Sequence, residues 1–114
     1  MSIKYGVPKY KNKKVIVDNR TFDSTREATR YVELKQLEKA KRIKDLQCQV
    51  KYQLIPTQKR PDGKTERSVS YIADFVHSDG NNTVVEDTKG FKTKDYIIKR
   101  KLMLYVHGIA VKEV

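Results

Sequence analysis

The stretch "VVEDTKG", residues 84–90, constrains this chain more than any other. Val84 and Val85 are β-branched and apolar and read as a buried strand. Three of the next four residues carry charge. Charges cannot follow a strand into a core unless they are paired or delivered to a cleft. Side chains alternate along a strand, so Val85, Asp87 and Lys89 share one face, and Val84, Glu86 and Thr88 share the other. Just upstream, "SYIADFVH" sets Asp74 inside an otherwise apolar strand. Ile72, Asp74 and Val76 are predicted on one face, opposite Tyr71, Ala73 and Phe75. Asp79-Gly80 supplies a hairpin turn between the two strands. Their pairing would bring Asp74 to Asp87 and Lys89.

The rest of the chain supports one small α/β domain with a mixed sheet. Val15-Ile16-Val17, Asp18-Asn19 and Arg20-Thr21-Phe22 predict a short hairpin. Ser24-Thr25-Arg26-Glu27 opens a helix in capping-box form, running to about Lys41. Leu46 to Ile55 reads as a strand ending at Pro56. Thr57 to Arg67 reads as a polar loop turning at Pro61-Asp62-Gly63. Val69–Val76 and Asn82–Lys89 are the next strands. Thr93 caps a second helix that ends before Gly108, with Ile98, Leu102 and Tyr105 as its inner stripe. Ile109 to Val114 forms a last strand. The predicted order is β-β-α-β-β-β-α-β, without repeats.

Charge narrows the partner. Twenty-five Lys and Arg face 14 Asp and Glu in 114 residues, a net charge of +11. Such an excess points to a polyanion, nucleic acid first. No run is long and apolar enough to span a bilayer, and Met1 to Tyr10 lacks the apolar stretch of a signal peptide. Cys48 is alone, which excludes a disulfide framework and a cysteine zinc site. A soluble, cytoplasmic protein is the expectation. Residues 1–14 read as an extended basic arm, with Lys9, Lys11, Lys13 and Lys14 as phosphate contacts and Tyr5 and Tyr10 between the lysines. Lys92, Lys94, Lys99, Arg100 and Lys101, on and before the second helix, form a second basic set.

Two carboxylates held a few ångströms apart repel unless a cation or a proton lies between them. A hard divalent ion with oxygen ligands, Mg²⁺ or Mn²⁺, suits Asp74 and Asp87. Lys89 could orient or deprotonate a water, or neutralise charge developing on a phosphate. Glu27 lies on the same helical arc as Tyr31 and Leu34, which look like core positions, so its carboxylate can point inward to the same ion. Each feature also has a plainer reading. Asp74, Asp87 and Lys89 could be an ion-pair cluster where strands fray, and Glu27 could satisfy the backbone at Ser24. The basic helix could be a solvated face, and Gln49 could face either the cleft or solvent. His77 and His107 have no metal-ligand companions at useful spacing.

Asp74 followed thirteen positions on by Asp87-Thr88-Lys89 resembles the motif of the PD-(D/E)xK nuclease superfamily. Glu27 matches the extra helical acid of many members. Ala73 stands where the motif's proline would be. The stretches "FDSTREATRY", "LQCQVKYQL", "YIADF" and "VVEDTKGFKTKDY" are more closely similar to a small family of phage-encoded proteins, described as Holliday-junction-resolvase-like or of unknown function. The likeness covers roughly residues 9–114. It implies a restriction-endonuclease-like α/β core, a mixed central sheet flanked by helices, in one nuclease domain over residues 15–114. It also implies metal-dependent cleavage of DNA, with Asp74, Asp87 and Glu27 binding Mg²⁺ or Mn²⁺ and Lys89 catalytic. The substrate expected by analogy is branched DNA such as a four-way junction, cut by a homodimer in the host cytoplasm during recombination, replication or packaging. The rival reading is a basic nucleic-acid-binding module without turnover, for which two acids among the basic elements would be a liability.

Overall fold

Residues 14–114 are described by a computed structural model. The expected arm therefore lies outside the described residues, with Tyr5, Tyr10, Lys9, Lys11 and Lys13; only Lys14 is within them. Strands β1 (Val15–Val17) and β2 (Arg20–Phe22) form the predicted antiparallel hairpin. Its tight turn holds Asp18 and Asn19 at φ 52° and 63°, the left-handed region that short polar side chains tolerate. Helix α1 (Thr25–Lys39) follows, and the Glu27 N–H donates to Ser24 Oγ at 3.1 Å.

Next come β3 (Lys44–Ile55), β4 (Gln58–Lys59), β5 (Thr65–Glu66), β6 (Val69–Ser78) and β7 (Thr83–Asp87). Helix α2 (Lys94–His107) is capped by Thr93 and closed by Gly108 at φ 68°; β8 (Lys112–Glu113) ends the order. The central sheet runs β3-β6-β7-β8. The first two pairings are antiparallel and β7–β8 is parallel. That parallel pair needs a crossover, which α2 provides. The chain is thus a single α/β domain with a mixed sheet, as the sequence predicts. No helix among the described residues is long and apolar enough to cross a membrane.

Two cores hold the sheet. On one side Ala28, Tyr31 and Leu34 of α1 pack with Phe22 and Phe75. On the other Tyr96 and Met103 of α2 pack with Leu54, Tyr71, Ala73, Val76 and Val85. Burying a side chain of this size contributes about 1.5–3 kcal/mol.

Three expectations need correcting. The inner stripe of α2 is Tyr96 and Met103, with Ile97 and Leu102 beside them; Ile98 is 56% exposed and Tyr105 85%. Tyr96 sets this rotation, because its ring packs near Tyr71 and its hydroxyl donates to Glu113 Oε2 at 2.7 Å. The polar loop is not irregular, since β4 and β5 pair within it. Tyr71 does not turn away from the acids but joins the core on the side of Asp87.

Candidate functional site

Strand register assembles the acids. β6 and β7 pair Val76 with Val85 and Phe75 with Glu86, so the next step sets Asp74 across from Asp87. The chain leaves the ladder immediately afterwards. The Thr88 N–H and hydroxyl both donate to Asp74 Oδ2, at 2.9 and 2.8 Å. Asp87 is 2% exposed, and Tyr71 donates its hydroxyl to Asp87 Oδ2 at 2.6 Å. Lys89 lies beyond β7 rather than within it. Its Nζ still stands 3.5 Å from Asp87 Oδ1 and 4.5 Å from the centre of the Tyr96 ring. The ammonium is thus held between a carboxylate and an aromatic face. Arg26 fixes the same turn by donating to the Lys89 carbonyl at 2.7 Å.

Glu27 points inward. Only half of the expected capping box forms, because its carboxylate accepts from Gln49 Nε2 at 3.1 Å. Gln49 adopts φ 56° in the middle of β3, and the paired residues on either side of it are Cys48 with Phe75 and Val50 with Ala73. A positive φ on a non-glycine strand residue costs on the order of 1–3 kcal/mol and often marks a functional position.

The electrostatics follow from crowding. Burial first, then the charges of Asp74, Asp23 and Asp87, push the Glu27 carboxyl up to about 7, against a partial offset from Lys89. Burial and the neighbouring Asp74 carboxylate likewise raise Asp87, against Tyr71 and Lys89. One lysine is too little charge for three acids. The folded state therefore holds the Glu27 and Asp87 protons more tightly than the unfolded chain does. Their stabilising contribution is complete below the ordinary carboxylate value of 4.5 and is lost as pH rises through about 7. Metal-free protein should lose on the order of 2–3 kcal/mol between pH 5 and pH 8 from this source. Urea denaturation in EDTA at the two pH values measures it, and equal midpoints would contradict the crowding argument.

A cleft of about 340 Å³ opens over the site, lined among others by Asp74, Asp87, Lys89, Tyr96 and Lys99. Glu27 does not line it. Two roomier clefts, of about 450 and 460 Å³, border Glu38 near the C-terminal end of α1 and gather none of these acids. Among the described residues, no three of His, Cys, Asp and Glu stand as a group able to hold a metal ion. The donors nevertheless fit a hard divalent cation in type and charge. Mg²⁺ keeps most of its waters and commonly takes only one or two carboxylates plus substrate phosphate. Asp74 and Asp87 meet that demand, and Glu27 stands behind them.

Glu86 lies on the face opposite Asp87, as strand alternation predicts. It is fully buried on the α1 side, where Arg30 grips it from Nε and Nη2, both at 2.8 Å, and His77 Nε2 donates at 2.8 Å. Burial alone would raise its carboxyl, but Arg30 and His77 outweigh burial and hold it low.

The basic residues divide. Lys92 and Arg100 are tied to Glu113, at 3.2 and 2.9 Å, and Lys14 to Asp23 at 3.1 Å. Hydrogen bonds from Tyr96 and Arg100, and then Lys92, hold Glu113 down to about 2. Lys99 faces the cleft, while Lys94 and Lys101 are exposed on α2. Sequence reading missed Arg26, Arg30, Tyr71 and Thr88 as supports. The arginines flank Glu27 on one helix, a spacing that could have signalled them.

The family described as "Protein of unknown function (DUF1064)" matches residues 7–111. No curated protein and no solved structure matches the chain.

Proposed function

The chain belongs to DUF1064, a family of proteins of unknown function, and from that premise we propose that it is a metal-dependent endodeoxyribonuclease of the PD-(D/E)xK type. The observation that carries this reading is Asp74 facing Asp87, with the Lys89 ammonium 3.5 Å from Asp87, in a cleft of a strongly basic protein. Acids are unfavourable in a surface that merely binds phosphates. They are needed in one that cleaves them.

Asp74 and Asp87 would hold Mg²⁺ or Mn²⁺, with Glu27 in support. When bound, the ion supplies Lewis acidity toward the scissile phosphodiester. The protein does the rest. Lys89 donates to the phosphate as negative charge develops there, and Tyr96 and the Arg26 anchor keep the ammonium from wandering. Thr88 and Tyr71 fix the two carboxylates before substrate arrives. Lys94, Lys99 and Lys101 contact neighbouring phosphates, so binding weakens with salt and carries little base preference. Branched DNA is the proposed substrate and the cytoplasm the proposed compartment. Symmetric cutting of a four-way junction would need a homodimer.

The test is cleavage of labelled four-way junction, linear duplex and single-stranded DNA in Mg²⁺, Mn²⁺ or EDTA. Paired, metal-dependent nicks confined to the junction are the expected result. Equal cutting of all three keeps the nuclease and removes the junction. Tight binding without cutting in either metal transfers the site to a non-catalytic binding module.

A further inference from the structure

The β4–β5 hairpin has no place in the reaction above. Residues 56–68 are exposed throughout, and the two strands form a sheet of their own. No other helix or strand packs substantially on either face. From Thr57 to Ser68 the Pro61 ring in the turn is the one apolar side chain. The hairpin is built all the same. Arg60 N–H donates to the Lys64 carbonyl at 2.7 Å, and Gly63 N–H to the Arg60 carbonyl at 2.9 Å. Asp62 Oδ1 accepts from Lys64 N–H at 3.0 Å, and Gly63 takes φ 88°. A lone two-stranded ribbon is marginal in water. A turn so well defined on a ribbon with no core suits a surface that meets a partner.

Its chemistry selects the partner. Lys59, Arg60, Lys64 and Arg67 outnumber Asp62 and Glu66, and Asp62 pairs with Arg60 at 3.1 Å. Gln58 and Thr65 add hydrogen-bonding groups. A surface with no apolar anchor is poor for a protein interface, whose binding energy concentrates in buried aromatic and apolar side chains. A cationic, hydrogen-bonding ribbon fits duplex DNA, whose major groove is about 12 Å wide and admits two β-strands.

Position agrees. Arg67 comes three residues before Ser70, where the cleft wall begins. Thr65 is nine residues before Asp74 in the chain, with Arg67 and Ser68 linking β5 to β6. At about 3.3 Å per residue the span is at most roughly 30 Å, within one turn of B-DNA at about 34 Å. We propose that the β4–β5 ribbon enters the major groove of duplex DNA within one helical turn of the phosphate held in the Asp74–Asp87 cleft. The proposal rests on the nuclease reading.

Salt-dependent binding to a 40-base-pair duplex in EDTA tests it, comparing wild type with the K59A/R60A/K64A/R67A variant. The variant should bind at least tenfold more weakly and shift the slope of log K against log salt by about 3 toward zero. Its melting temperature should match wild type, because the ribbon packs on nothing. Footprints on a four-way junction in EDTA should show wild-type protection extending up to about one turn along an arm from the position that is nicked when metal is added, and the variant should lose that extension. An unchanged slope, affinity and footprint beside normal wild-type cleavage would overturn the ribbon and leave the nuclease standing. Wild-type protein that neither binds nor cuts duplex or branched DNA would overturn both. If the fourfold variant melts early, K59Q/K64Q is the substitute, read by slope and footprint.

Discussion

Asp87→Asn should lose metal-dependent cleavage by at least about 10²–10³-fold, the usual cost of removing a preorganised electrostatic group, while making the metal-free protein more stable at pH 8. The two effects share one cause. Asp87 is 2% exposed and its carboxyl is raised by burial and by Asp74, so its ionisation is opposed by the fold. Asparagine keeps an oxygen to accept from Tyr71 and removes the charge. Glu27, itself pushed up to about 7 partly by Asp87, then ionises more easily. The same substitution removes what a divalent ion binds. Added Mg²⁺ or Mn²⁺ should raise the melting temperature of wild type by mass action and move the variant little. A stabilised protein that cannot cut is the trade expected where strain serves catalysis. Cleavage within tenfold of wild type would remove Asp87 from the reaction, and reduced stability at pH 8 would remove the crowding argument.

Much of this site is legible in the sequence because strand alternation and hairpin register are local rules. Alternation puts Asp74 and Asp87 on one face, but the register that sets them across from each other comes from Gly80-Asn81, closed by the Asp79 N–H donating to the Asn82 carbonyl at 3.2 Å; a two-residue turn centred on Asp79-Gly80 would have set Asp74 across from Val85. Alternation also assigned Glu86 to the other face, where Arg30 holds it. What could not be read depended on partners distant in sequence. Tyr71 reaches Asp87 although alternation within its own strand turns it away, because the sheet is irregular beside Gln49. The rotation of α2 was misread because Ile98 and Tyr105 have helical spacing but no sheet to cover them. Tyr96 is pulled under by Tyr71 and by Glu113, a residue on the last strand. The β4–β5 ribbon left no periodic trace, since neither of its faces is buried and hydrophobic alternation exists only where one face is. Gln49 was seen as a polar strand residue, but its direction depended on a positive φ that composition cannot reveal.

Arg30→Ala should destabilise the domain by about 3–5 kcal/mol, the typical result of stripping one partner from a buried ion pair, and for a small domain that approaches unfolding. Glu86 would remain fully buried with His77 as its hydrogen-bond partner. The acid limb of stability has the same origin. Because Arg30 and His77 hold Glu86 below its ordinary value, its contribution is complete above about 4.5 and is lost as pH falls through the lower folded value. Glu27 and Asp87 act in the opposite direction, so the wild-type stability profile should peak between the two limbs. The pair also ties function to fold. Arg30 lies three residues after Glu27 on α1, and Glu86 immediately precedes Asp87 on β7. Their bidentate contact therefore sets how close the helix acid comes to the strand acid. R30M/E86L replaces charge with apolar volume and should recover most of the lost stability. It should not recover full cleavage, because two apolar side chains impose no fixed register between α1 and β7. Denaturation midpoints together with single-turnover rates separate the outcomes. A double variant that is stable and cuts like wild type would reduce Arg30–Glu86 to a structural tie. One that is stable and slow, with Glu27 titrating near its ordinary value, would show that the buried pair holds the acids in the crowded arrangement the cation must relieve.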